Sequence, residues 1–163
     1  MRLPLTEALQ RFSDWIQLPV FGPPQKTAWN KVNDFACIDG DWRCNVVLFI
    51  YESGEWTVFE DQSGYLSTIT SDKWLELARL DELVFAGYND SIPCGRLFVI
   101  QQGQSIREFL DNTANVQHHV NRGQLDFERE NPIKDWIGAA SFVDDDEIFR
   151  SPDYGLLWMF GER

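Results

Sequence analysis

Four consecutive acids, Asp144-Asp145-Asp146-Glu147, are the residues of this chain whose chemistry is easiest to see. This acidic run belongs to a stretch, residues 126–149, with eight acids against two bases, in a chain whose formal charge is −12. Consecutive carboxylates do not match an EF-hand, which spaces its calcium ligands at alternate positions around a glycine. A clustered negative field attracts a basic partner and repels nucleic acid. The acidic run therefore predicts contact with a cationic protein, and the alternative is a solvated face that only maintains solubility.

A second acidic feature lies beside a tryptophan. Asp39 and Asp41 flank Gly40 in a turn, and Trp42 follows. An aromatic side chain beside carboxylates can anchor a basic ligand through apolar burial, cation–π contact and charge. Tryptophan is also heavily buried on average, so core packing is the alternative for Trp42. We predict that Asp39, Asp41, Trp42 and the acidic run contact a basic protein partner.

Two adjacent histidines, His118 and His119, are the candidates for catalysis or metal binding, because imidazole titrates near neutrality and binds zinc. Neighbouring side chains of an extended segment point to opposite faces, so the pair needs a third ligand to hold one ion. The cysteines lack C-x-x-C spacing, and the chain has no nucleophile elbow or phosphate-binding glycine motif. We predict no metal and no cofactor. The alternative is a small enzyme with a pocket near His118, His119 and Asp90.

The composition indicates a folded protein. Aromatic residues make up 14% of the 163 residues, whereas a disordered acidic chain is poor in aromatics. At this length, one globular domain spanning residues 1–163 is expected. No signal-peptide pattern and no long apolar stretch occur, so we expect a cytoplasmic protein without membrane contact and with its three cysteines reduced. Nucleic-acid binding is not expected, since no basic patch is present.

Hydrophobic periodicity predicts the elements that position these residues. Apolar residues at helical spacing predict an amphipathic helix over residues 5–16, which ends before Pro19. Residues 46–51 and 56–59 are separated by turn residues and predict a hairpin. The first arm of this hairpin is apolar at every position, which is typical of a central strand covered on both faces.

The other elements follow from capping residues and short apolar runs. Thr70, Ser71 and Asp72 predict the start of a short middle helix, and Asn131-Pro132 predicts a C-terminal helix that continues to about residue 142. Further strands are predicted over residues 65–69, 83–86, 97–100, 105–110 and 156–160, with a loop over residues 111–124. Because hairpins outnumber crossover helices, we predict an α+β fold. Its mainly antiparallel sheet has about five to seven strands, with the three helices packed on it.

The order of these elements carries a resemblance to a known family. An amphipathic helix, a hairpin over residues 46–59, a short helix around Trp74, the segment Val84-Phe85-Ala86-Gly87-Tyr88-Asn89-Asp90 and a hairpin over residues 97–110 follow one another in an acidic chain. In this order and in its acidity, the chain resembles the SUKH-type immunity proteins of bacteria over residues 41–110. The resemblance implies a single α+β domain that binds and neutralises a toxin, often a nuclease, and it assigns no binding residue here. We therefore expect a non-catalytic bacterial binding protein, with a structural or housekeeping domain as a further alternative.

Overall fold

Antiparallel strand pairing organises the chain into two compact units, Met1–Leu77 with Ser151–Arg163 and Ala78–Arg150. Each unit contains a four-stranded antiparallel sheet and at least one α-helix. The predicted α+β class is therefore confirmed. The expectation of one globular domain stays a prediction. In the part of the chain that the structure describes, no helix is both long enough and apolar enough to cross a membrane.

The computed structural model describes residues 1–113, 119–143 and 151–161. The α-helices are α1 (Leu5–Ile16), α2 (Val32–Ala36), α3 (Ser71–Ala78) and α4 (Trp136–Val143). The strands are β1 (Gln25–Ala28), β2 (Cys37–Ile38), β3 (Asp41–Trp42), β4 (Val46–Ser53), β5 (Trp56–Asp61), β6 (Leu83–Asn89), β7 (Cys94–Gln101), β8 (Gln104–Asn112), β9 (Val120–Gly123) and β10 (Tyr154–Phe160). Short 3-10 turns occur at Trp29–Lys31, Tyr65–Thr68 and Asp126–Arg129.

The sheet of the first unit has the order β1-β10-β4-β5. Its central strand β4 is buried on both faces, as its continuous apolar run predicts. On one face α1 contributes Phe12, whose ring lies 4.9 Å from that of Phe59 and 5.7 Å from that of Phe160. The other face packs against α2 in a cluster formed by Val32, Ala36, Val47, Phe49, Tyr51 and Leu157.

Two tryptophans on helices have different environments. Trp74 on α3 is 4% exposed and stacks on Trp15 of α1, with ring centroids 5.3 Å apart. Trp136, the first residue of α4, is only half-buried.

The strand predicted over residues 65–69 is wrong, because this segment begins with the 3-10 turn Tyr65–Thr68. The carboxylate of Asp61 accepts hydrogen bonds from the backbone amides of Ser63, Gly64 and Leu66, at 2.9, 3.1 and 2.6 Å. Gly64 has φ +76°, a conformation that suits glycine. An aspartate that binds the next backbone amides folds the chain into a turn and removes those donors from a strand ladder.

The sheet of the second unit is a meander with the order β6-β7-β8-β9. α4 packs on it next to a cluster that contains Leu97, Phe109 and Ala139. Gly95 on β7 permits this close approach, because a Cβ atom there would lie 2.8 Å from both Ala139 Cβ and Trp136 Cα. A larger residue at position 95 would push the helix away from the sheet.

Two predictions for the second unit are corrected. The C-terminal helix begins at Trp136 rather than at Asn131-Pro132, because two other aspartates bind its first amides. Asp111 Oδ2 accepts from the amide of Trp136 at 2.8 Å, and Asp135 Oδ1 accepts from that of Gly138 at 2.9 Å. The loop predicted over residues 111–124 contains the end of β8 and all of β9. Strand β9 is polar, so cross-strand pairing with β8, and not an apolar pattern, defines it.

The prediction of one sheet with five to seven strands is also corrected, since the structure has two four-stranded sheets and a two-stranded hairpin, β2-β3. The pairs joined by short turns, β4 with β5 and β7 with β8, were predicted correctly. Local pattern does not decide which hairpins share a sheet. That depends on pairing between distant segments, and β10 pairs with β4 and β1 across most of the chain.

Thr57 gives a first testable prediction. Its side chain is completely buried on β5, and its Oγ1 donates a 2.7 Å hydrogen bond to the carbonyl of Leu3. Thr57→Val leaves that carbonyl without this donor, and we expect the free energy of unfolding to fall by about 1–2 kcal/mol in urea titrations. In the control Thr68→Val, the lost bond is also 2.7 Å but exposed, so water replaces the donor and stability changes little. Equal losses in the two variants would contradict the prediction.

Candidate functional site

The predicted partner-binding residues Asp39, Asp41 and Trp42 lie in a small hairpin formed by β2 and β3, which we call the acidic hairpin (residues 37–42). Asp39 and Gly40 form its turn, with φ +52° and +88°. Two successive positive φ angles are typical of the tight turns that match strand twist, and aspartate and glycine tolerate them better than most residues. The turn leaves Asp39 and Asp41 exposed to solvent side by side, as the sequence pattern predicts.

Trp42 has a different role in the hairpin. Its side chain is half-buried and packs against the core cluster that includes Val47 and Phe49 of β4. The indole therefore fixes the acidic hairpin to the sheet. Core packing, the alternative given above for Trp42, explains the buried part of its side chain. Contact between Trp42 and a partner stays a prediction.

A cleft of about 140 Å³ lies next to the acidic hairpin. Phe21 and Phe35 form its walls and are 45% and 51% exposed, while Leu157 and Met159 of β10 also line it. Arg43, which directly follows the hairpin, spans the two aromatic residues. Its guanidinium lies 5.2 Å from the Phe21 ring centroid, and its Nη1 donates to the carbonyl of Phe35 at 3.2 Å. We call this feature the aromatic cleft.

Backbone hydrogen bonds hold the walls of the aromatic cleft in place. The amide of Phe21 donates to the carbonyl of Met159 at 2.9 Å, and the indole of Trp158 donates to the carbonyl of Gly22 at 3.1 Å. On the other side, the amide of Arg43 donates to the carbonyl of Ala36 at 2.8 Å. The exposed phenyl rings are therefore carried by fixed backbone, which lowers the conformational entropy lost when a partner binds.

The exposed apolar surface extends beyond the cleft. Val20, next to Phe21, is 46% exposed, and Ile38 in the acidic hairpin is 58% exposed. Single exposed apolar residues are normal, but a group of them bordered by charged residues is typical of a protein interaction surface. Here the border contains Asp39 and Asp41.

Sequence analysis missed Phe21 and Phe35. A signal was available for Phe21, because Val20-Phe21 sits in the segment Leu18-Pro19-Val20-Phe21-Gly22-Pro23-Pro24, where apolar residues have neither helical nor strand periodicity. Phe35 gave no comparable signal, since α2 has only five residues. The acidic run, Asp144, Asp145, Asp146 and Glu147, lies outside the described residues.

The residues considered for catalysis lie in the second unit, where His118 is outside the described residues. His119 is 45% exposed, and its Nδ1 lies 3.6 Å from Asp111 Oδ1. The other oxygen of Asp111 accepts a hydrogen bond from the backbone amide of Trp136, the first residue of α4, so this carboxylate has a structural role. Asp90 lies in the exposed turn after β6, where the Ser91 hydroxyl donates to its Oδ1 at 3.4 Å. In the described part of the chain, the contact found for the Asp90 carboxylate is with Ser91 and that found for the His119 ring nitrogen is with Asp111, so the structure does not bring Asp90 and His119 together.

Cys94, the first residue of β7, is a thiol of the second unit whose charge state Asp111 influences. Burial raises the pKa of the Cys94 thiol, the charge of Asp111 raises it further, and Arg96 opposes the change. The thiol is therefore protonated at neutral pH and is a poor nucleophile. Among the residues that the structure describes, no group of three or more histidine, cysteine, aspartate or glutamate side chains is placed to hold a metal ion. All three cysteines are free thiols.

No protein-family model, curated protein or solved structure matches the chain. The resemblance to SUKH-type immunity proteins stays a prediction.

Proposed function

We propose that this protein is a non-catalytic acidic binding protein that occludes a basic protein partner, in the manner of a bacterial immunity protein. One observation carries the proposal: two exposed phenylalanines, Phe21 and Phe35, form a cleft on fixed backbone, and the hairpin with the exposed carboxylates Asp39 and Asp41 joins two residues of its lining, Phe35 and Arg43.

The two parts of this surface have different physical tasks. Aromatic side chains at the centre of an interface supply most of the binding free energy, because they bury a large area at small entropic cost. Acids at the border add less affinity but speed the encounter with a cationic partner and select against anionic ones. Arg43 adds one positive charge inside the acidic surface, so the best partner places an acceptor group opposite it.

Charge reversal tests the border. The double variant Asp39→Lys and Asp41→Lys is expected to lower the association rate constant about tenfold at low salt and to weaken its dependence on ionic strength. Stopped-flow mixing with the partner measures both. The control Glu52→Lys and Asp72→Lys makes the same change in net charge at two exposed positions outside the hairpin, on β4 and α3, and its effect should be clearly smaller. Equal effects of the two double variants would show that only net charge matters.

Finding the partner is the experiment on which the proposal depends. The immobilised protein is exposed to extract of its native host at low and at high salt, beside the Asp39→Lys and Asp41→Lys variant. We expect one basic protein to be captured by the unmodified chain, to be lost at high salt and to be depleted on the variant. Absence of any saturable partner at physiological salt would contradict the proposal and favour a structural or housekeeping domain.

A further inference from the structure

A second concave surface lies in the first unit, apart from the residues of the aromatic cleft. It has a volume of about 350 Å³ and is lined by the turn after β1 and by the start of β10. Two large aromatic side chains border it, Trp29 at 44% and Tyr154 at 64% exposure. Asp153 also lines it and is exposed. We call it the Trp29 pocket.

Hydrogen bonds to the Glu60 carboxylate hold two residues of the pocket lining, Trp29 and Ser151, in place. Glu60 Oε1 accepts from the Trp29 indole at 3.0 Å and from the Gln62 amide at 2.9 Å, while its Oε2 accepts from the Ser151 hydroxyl at 2.6 Å. The backbone amide of Trp29 also donates to the carbonyl of Asp153 at 2.9 Å. The indole is therefore held in one orientation although almost half of it is exposed. Such an exposed and fixed aromatic ring is prepared for a ligand, because little side-chain entropy remains to be lost.

The charges at the pocket favour a cation. Asp153 is the one carboxylate among the residues that line the pocket, and its side chain is exposed. The Tyr154 ring already has a cation near it, since Lys26 Nζ lies 5.9 Å from the ring centroid. A cation within about 6 Å of an aromatic ring is attracted by the negative charge of its face. Lys26 shows that the Tyr154 ring can hold a positive group, and a ligand cation would compete with Lys26 for it.

We propose that the Trp29 pocket binds an arginine side chain presented by another protein. A guanidinium is planar, stacks on aromatic rings and can bind a carboxylate through two parallel hydrogen bonds, so it uses both the rings and Asp153. An ammonium is a strongly hydrated point charge and uses these features less well. The chain's formal charge of −12 adds long-range attraction for such a partner. This site shares no residue with the aromatic cleft or the acidic hairpin, so it does not rest on the function proposed above.

The test uses N-acetyl-arginine amide as the probe and the neutral N-acetyl-citrulline amide as its near-isosteric control. The Trp29 indole N–H signal, assigned by its loss in Trp29→Phe, is followed by NMR at constant ionic strength. We expect a saturable shift with the arginine probe and an affinity at least about fivefold lower with the citrulline probe. Equal shifts with both probes, or no shift with either, would overturn the proposal.

Three variants locate the site. Tyr154→Leu removes the ring and should weaken arginine binding about threefold or more, whereas Tyr154→Phe keeps the ring and should bind as the unmodified chain does. Lys26→Met removes the competing cation and should strengthen binding about twofold. Position 154 is largely exposed, so these changes leave the fold intact, which thermal unfolding verifies. Unchanged affinity in Tyr154→Leu would overturn the proposal. The affinities of these three variants for the arginine probe do not bear on binding at the aromatic cleft.

Discussion

Replacement of Glu128 by glutamine is expected to lower the free energy of unfolding by about 3–5 kcal/mol, because it leaves a buried guanidinium without its counter-ion. Glu128 is 1% exposed and Arg107 is 2% exposed. The two side chains form a bidentate pair, with Arg107 Nε and Nη2 each 2.8 Å from a carboxylate oxygen. Chemical denaturation measures the loss.

Further hydrogen bonds explain why this buried pair is tolerated. The Arg107 guanidinium also donates to the Asn121 side chain at 2.8 Å and to the Arg122 carbonyl at 3.1 Å, and Glu128 accepts from the Leu125 amide at 3.0 Å. The control Asp126→Asn breaks an exposed pair with Arg129 in the same 3-10 turn, and such pairs contribute little. If Glu128→Gln were no more harmful than this control, the assigned contribution of the buried pair would be contradicted.

The same pair gives a pH dependence with a definite sign. Burial raises the pKa of Glu128, but the hydrogen bonds from Arg107 and Leu125 and the charge of Arg107 outweigh it, so the pKa lies below the ordinary 4.5. Since the folded state has the lower pKa, this contribution to stability is complete above about pH 4.5 and is lost as the pH falls through the folded-state pKa. The stability difference between the unmodified chain and Glu128→Gln should therefore shrink in acid. A difference that stays constant down to pH 3 would contradict this account.

The second large effect concerns binding. Phe35→Ala is expected to weaken the complex with the captured basic partner by about 2–4 kcal/mol, or roughly 30-fold to 1000-fold in Kd, because it removes an aromatic anchor from the centre of the surface. Stability should change much less, since the ring is 51% exposed in the free protein. Titration calorimetry measures the Kd of the partner for the unmodified chain and for Phe35→Ala.

Phe127→Ala is the matched control for this variant. Phe127 is 49% exposed, nearly the same as Phe35, but it lies in the second unit. The proposal predicts that its replacement changes the Kd by less than about threefold, as is usual for residues outside the few that dominate an interface. A loss of affinity in Phe127→Ala equal to that in Phe35→Ala would place the interface elsewhere.

Sequence reasoning succeeded where local pattern decides the structure. Helix α1 matches its predicted bounds, and β4 is the central, doubly covered strand that its apolar run predicts. It failed where one side chain redirects the backbone. Asp61 folds residues 63–66 into a turn, and Asp111 sets the start of α4 from 25 residues away. Neither contact leaves a periodic signal in the sequence.

The candidate site was only half predictable for the same reason. Asp39 and Asp41 could be identified because acids around a glycine define an exposed turn whatever surrounds it. The aromatic cleft could not, since Phe21 and Phe35 meet only after the segment before β1 binds to β10 and α2 packs on β4. The pairing of Trp29 with Glu60 is likewise long-range, across 31 residues.

Mapping the contact surface of the captured partner tests the central claim most directly. The amide signals of the isotopically labelled protein are compared with and without the unlabelled partner. The account predicts that the largest changes fall on residues 19–23 and 35–43, which carry the aromatic cleft and the acidic hairpin. Saturable binding that leaves both segments unchanged would contradict it.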